Sequence, residues 1–115
     1  MKKTLLIISV ITAAISYAPP SKADNMSLRI CEYVSVNDKT RLRSFLKSKK
    51  LKVRSIFKDI QCNRQNLLEF AASSNALDVG EFIINKLPVK IVTANVENIY
   101  KHSAHLANVA KKRIK

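Results

Sequence analysis

The sequence predicts an all-α domain: two helix-turn-helix hairpins and a long C-terminal helix, closed by one disulfide. Three observations carry that prediction. Glycine occurs once and proline three times, too few turn residues for a sheet of this size. Apolar residues recur at helical spacing along the whole C-terminal four fifths of the chain. Two cysteines, Cys31 and Cys62, stand in a chain whose opening reads as a secretory leader, so they are expected to oxidise and pair.

The leader is read from residues 1–23. Lys2 and Lys3 form a short positive region, Thr4 to Tyr17 an apolar run, and Ser21-Lys22-Ala23 a small-x-small cleavage site. The apolar run falls short of the roughly 20 residues that span a bilayer and is followed by Pro19-Pro20, so cleavage is favoured over a retained membrane anchor. Asp24 rather than cysteine follows the site, so no lipid anchor is expected. Residues 24–115 then form a single domain with 18 Lys+Arg against 8 Asp+Glu, a net charge of +10. Its expected location is periplasmic or secreted, and no transmembrane segment is expected after cleavage. The pairing of Cys31 with Cys62 is expected to be structural, because the two lack the Cys-x-x-Cys spacing that activates a redox thiol.

Within the domain, Ser27 is placed as cap of a first helix reaching about Val36, with Leu28, Cys31 and Val34 inward. Asn37-Asp38 makes a turn and caps a second helix to about Ser48, burying Leu42, Phe45 and Leu46. Val53, Ile56, Phe57 and Ile60 fall at i, i+3, i+4 and i+7, the spacing of a short amphipathic helix. Asn66 with Glu69, and Asp78 with Glu81, read as capping boxes opening helices that end at Ser73 and near Leu87, the second stopped by Pro88. Val92, Val96, Ile99, Leu106 and Ala110 form one stripe, read as a continuous helix from about Ile91 to Lys112 across the rest.

A shift of 37 residues lays Cys31-Glu32-Tyr33-Val34 on Leu68-Glu69-Phe70-Ala71, and Leu42, Phe45 and Leu46 on Val79, Phe82 and Ile83. Two hairpins of like pattern would then cover each other's apolar faces, with the last helix as a cap. The run Gln65 to Ala72 followed by Asn75 to Ile84 resembles the helical half of an ankyrin repeat. More narrowly, the early Cys31, the basic helix, Cys62-Asn63 and Leu68-Glu69-Phe70-Ala71 resemble the bacterial exported family known as domain of unknown function 3718. That likeness covers about residues 27–87, leaving 88–115 as the C-terminal helix and basic tail, and Arg64 occupies the place where its second-cysteine motif carries glycine. No activity is assigned to that family, so the resemblance implies fold and compartment only.

The strongest chemical signal is electrostatic. Between Lys39 and Lys58 there are nine cations: Lys39, Arg41, Arg43 and Lys47 on the second helix, Lys49, Lys50 and Lys52 after it, and Arg54 and Lys58 on the third. The only acids nearby, Asp38 and Asp59, bracket that stretch. Such a face attracts anionic lipid headgroups, polyanions or an acidic protein in a salt-sensitive way. Specific nucleic-acid binding is not expected, since Tyr33, Tyr100 and most phenylalanines fall at core positions and leave no stacking platform. His102 and His105 have a spacing that could share a metal, but no further ligand stands near them in sequence, so solvated histidines are expected. The acids are dispersed and no serine has a recognisable catalytic partner, so neither an enzyme nor a cofactor is expected. The leading expectation is a monomeric binding module whose basic face contacts anionic envelope components or an acidic protein. The alternative is a protein-interaction or inhibitor domain that uses the hairpin surface, charge only steering encounters.

Overall fold

The computed structural model describes residues 22–115; the leader lies outside the described residues, apart from its last two positions at the start of the first helix. The elements are α1 Lys22–Ser35, α2 Lys39–Ser48, α3 Val53–Ile56, α4 Leu67–Ser73, α5 Leu77–Lys86, α6 Val89–His102 and α7 Ala104–Ile114. Among the described residues the only β pairing is an isolated bridge between Cys62 and Gln65. The domain is all-α, closed by a Cys31–Cys62 disulfide with Cα atoms 5.6 Å apart.

The helices pair as three hairpins, α1 with α2, α4 with α5 and α6 with α7. They stack in order: α1, α4 and α6 pack in one layer, α2, α5 and α7 in the other. The middle hairpin is therefore covered on both sides, and its sequence shows it. Adjacent apolar pairs, Leu67-Leu68 and Ala71-Ala72 on α4 and Ile83-Ile84 on α5, are all buried, whereas α2 buries only Leu42 and Leu46. A helix contacted on two faces needs apolar residues around more of its circumference than one contacted on a single face.

The continuous C-terminal helix is thus corrected to a hairpin. α6 stops at His102, and Ser103, in extended conformation (φ −152°, ψ 106°), accepts the Leu106 N–H on its Oγ and starts α7. The apolar stripe does not reveal the break, because Ile99 and Leu106 both face the core on either side of it. His102 and His105 consequently lie on different helices.

The turns are made without glycine, since the one glycine, Gly80, lies inside α5. After α1 the Asn37 N–H donates to Val34 O (3.0 Å) and Asp38 N–H to Tyr33 O (2.9 Å), with Asn37 at φ 56°. Lys50 (φ 55°) and Asn75 (φ 55°) close α2 and α4 with the same bond pattern. This is the Schellman cap, whose left-handed residue is usually glycine and sometimes asparagine. Asn37 and Asn75 are 38 residues apart, as are the starts of α2 and α5, so the backbone repeat has a register of 38 where the side-chain pattern reads 37.

Three further expectations change in detail. α1 begins before Ser27, which is therefore no cap, and its inward face is Ile30 and Val34, with Leu28 68 % exposed. α3 is a single turn, after which Phe57 and Ile60 still pack inward from irregular chain. Asp38 and Asn66 cap α2 and α4 as expected, accepting from Arg41 N–H and Glu69 N–H. At α5 the cap position is Ala76, which has no side-chain acceptor, and Asp78 lies in the first turn. Its place is taken from another hairpin: Asn37 Oδ1 accepts the Val79 N–H at 3.0 Å, while Asn37 Nδ2 donates to Asp78 Oδ2 at 3.5 Å.

A second asparagine joins the next pair of hairpins. Asn66 Nδ2 donates to Asn95 Oδ1 on α6 at 2.7 Å, and Asn95, 9 % exposed, donates to Ile91 O. The lone glycine sets the approach of α7. A Cβ on Gly80 would stand 2.5 and 2.7 Å from the two methyls of Leu106, itself 1 % exposed.

Candidate functional site

Helix α2 runs between α1 and α5, and alternation along it separates a buried row, Leu42 and Leu46, from exposed Arg43 and Lys47. The Lys50 turn then reverses the chain so that Leu51, Lys52 and the single turn of α3 descend beside α5. Between these elements lies a groove of about 440 Å³. Its cations are Arg43 and Lys47 from α2, Lys52 and Arg54 around α3, and Lys86 from α5; Leu46, Leu51, Val53 and Phe82 supply the apolar wall, and no acid lines it. The Arg43 guanidinium and the Lys86 ammonium each stand 6.0 Å from the centre of the Phe82 ring, at the outer range of cation–π attraction. Arg43, Phe82 and Lys86 also border an adjoining hollow lined by Lys39, Asn85, Asp78 and Glu81, so the acid-free stretch ends at the first turns of α5.

All nine cations read from the sequence are exposed, but they do not form one surface. Arg43, Lys47, Lys52 and Arg54 line the acid-free groove, and Lys39 lines the adjoining hollow. Arg41 lies 3.4 Å from Asp38 and is partly neutralised. Lys49 turns toward α1, its ammonium 6.0 Å from the Phe45 ring, where with Arg29 and Met26 it borders a separate hollow. Lys58 borders another with Phe57, Lys90 and Ile91, and Lys50 stands in the turn. The sequence reading missed Lys86 and Phe82, which stand outside the Lys39–Lys58 run. The pairing of Phe82 with Phe45 in the internal repeat was the available signal.

Tyr100 is the correction among the aromatics: it is 61 % exposed, with the Lys111 ammonium 5.4 Å from its ring centre. In the basic tail Arg113 turns back and donates to Leu87 O at 3.3 Å, satisfying a carbonyl where α5 ends. His105 Nε2 lies 3.4 Å from Glu81 Oε2, joining α7 to α5 at the surface. Among the described residues no group of three His, Cys, Asp or Glu is placed to hold a metal, and no helix is long and apolar enough to cross a membrane.

The disulfide site shows why glycine would suit the position of Arg64 in the cysteine motif. Cys62 and Gln65 exchange backbone hydrogen bonds of 2.8 and 2.9 Å around Asn63 (φ 53°) and Arg64 (φ 65°). Two consecutive left-handed residues make a type I′ turn, whose preferred pair is Asn-Gly. Arg64 adopts the glycine conformation without being glycine.

Fold and groove together define a disulfide-closed domain of stacked helical hairpins that presents a cationic cleft. The family described as Protein of unknown function (DUF3718) matches residues 30–94, more than half of the chain, and the chain belongs to that family. The match runs from α1 into α6 and so includes the whole groove. No curated protein and no solved structure matches the chain.

Proposed function

We propose that this protein is an exported, non-enzymatic binding module whose basic face engages anionic components of the cell envelope. The observation that carries this reading is the groove of five cations without an acid, set between two hairpins held by a disulfide and buried core. Charges of one sign lining a concave surface focus the field outward and raise the local concentration of anions. The apolar wall at Leu51 and Phe82 favours an anion carried on a partly apolar molecule over a bare polyanion. The disulfide supports delivery to an oxidising compartment, periplasmic or extracellular, since such bonds persist there.

Co-sedimentation with vesicles tests it. Binding to anionic vesicles at low salt, weakening at high salt and absent with neutral vesicles, is the expected result. Equal, negligible binding to both vesicle types rejects the reading. An acidic envelope protein retained at high salt would instead place the interaction in side-chain packing. Export is checked on the natural product, whose N-terminus should be Asp24 and which should titrate no free thiol.

A further inference from the structure

We infer that the groove between α2, α3 and α5 takes a phosphate monoester at the head of a lipid, an inference that rests on the anionic-ligand reading above. Three features of the groove point there. First, charge is concentrated: Arg43, Lys47, Lys52, Arg54 and Lys86 border a space of about 440 Å³ that no acid lines, Asp78 and Glu81 bordering only the adjoining hollow, which Arg43 and Lys86 share. A monoester carries about −1.5 to −2 at neutral pH on one group, whereas a diester headgroup or a single carboxylate carries about half of that. Second, two of the cations are arginines on different elements, Arg43 on α2 and Arg54 on α3. A guanidinium presents a planar fork of donors that matches phosphate oxygens, and two forks from separate helices can hold one phosphate from two sides. Third, Phe82 and Leu51 are only partly buried and lie in the same groove. Free phosphate has no use for such a wall, and the first carbons of a lipid's glycerol and acyl region do.

An acidic peptide fits less well. Its charges are single and spaced along a chain, whereas the acid-free stretch ends after one groove length at Asp78 and Glu81, which would repel the next carboxylate. The Lys49 hollow against α1, with Arg29 as its other cation, offers fewer cations, and the Tyr100–Lys111 pair on α6 and α7 is a single cation–π contact.

Isothermal titration of the disulfide-bonded protein with three soluble probes tests the inference: short-chain phosphatidic acid, short-chain phosphatidylglycerol and inorganic phosphate. Phosphatidic acid should bind at one saturable site, with the other two weaker by about tenfold or more. The variant Arg43→Gln/Arg54→Gln should lose about a hundredfold in affinity for phosphatidic acid, at about tenfold for each charge-assisted contact removed. Lys49→Gln/Lys58→Gln, which removes the same charge outside the groove, should stay within about twofold of wild type. All four positions are exposed, so both variants should fold, which circular dichroism checks. Equal losses in the two variants, or inorganic phosphate binding as tightly as phosphatidic acid, overturns the inference. If the wild type sediments with anionic vesicles yet shows no monoester preference, this inference fails and the broader reading stands; sedimentation with no anionic vesicle ends both.

Discussion

Asn37 is the residue through which the first two hairpins depend on each other, and removing its side chain is the sharpest test of the stack. It does two separable things. Its backbone sits at φ 56° to close α1, and its carboxamide accepts the Val79 N–H at the start of α5, where no cap residue of α5 itself supplies an acceptor. Asn37→Gly keeps the turn conformation and removes the carboxamide: the acceptor for the Val79 N–H and, with it, the long 3.5 Å bond from Nδ2 to Asp78 at the exposed surface. Losing the partner of a partly buried donor costs about 1–2 kcal/mol. Asn37→Ala adds the left-handed penalty of a residue with Cβ, about 1 kcal/mol or more, for a total of about 2–3 kcal/mol. Asn75→Gly is the control: it has the same backbone geometry (φ 55°), and its side chain makes no hydrogen bond among the described residues. For a domain of this size about 1 kcal/mol moves the melting midpoint by about 4–8 °C. Thermal unfolding followed by circular dichroism should therefore rank the proteins as Asn75→Gly near wild type, Asn37→Gly lower and Asn37→Ala lowest. Amide exchange at Val79 should quicken in both Asn37 variants. If Asn37→Gly melts with Asn75→Gly, the cross-hairpin cap contributes nothing and the reasoning is wrong.

Arg64→Gly should stabilise the protein by about 1 kcal/mol, because the φ of 65° that arginine holds in the type I′ turn suits glycine; an unchanged or lower urea midpoint would contradict this. Gly80→Ala should destabilise by about 1 kcal/mol, overpacking against Leu106 (about 1–3 kcal/mol) outweighing the helix-propensity gain of about 1 kcal/mol. In a Leu106→Ala background the same change should become stabilising, and urea unfolding of the four proteins fails the argument if Gly80→Ala has the same sign in both. Replacing Cys31 and Cys62 together by alanine opens a loop with a separation of 31 residues and should cost about 3–4 kcal/mol, most of it through the freer unfolded chain. A melting midpoint within a few degrees of wild type would show that the core alone holds the first hairpin to the loop before α4.

The features that local chemistry controls were open to reading from the chain. Starts of α2 and α4 follow from Asp38 and Asn66, whose short side chains reach the N–H three residues on, and the end of α5 from Leu87-Pro88. The cysteines, the run of cations and the helical periodicity are likewise written in single residues or short spacings. Other features depend on what a residue meets across the fold. A stripe of apolar residues has the same period in one long helix as in two helices folded on each other, so the stripe hides the break at Ser103; the serine is a local cap like Asp38 and Asn66, but the reversal it starts is held by α7 packing back on α5 and α6. The cap of α5 comes from a residue 42 positions away, beyond the reach of any local signal. The groove, too, is a product of packing. Electrostatic repulsion along Lys39–Lys58 is a property of sequence, but only the stacking of α2 on α5 sets Phe82 and Lys86 opposite Arg43, brings four of the nine cations to one space, and leaves the others elsewhere on the surface.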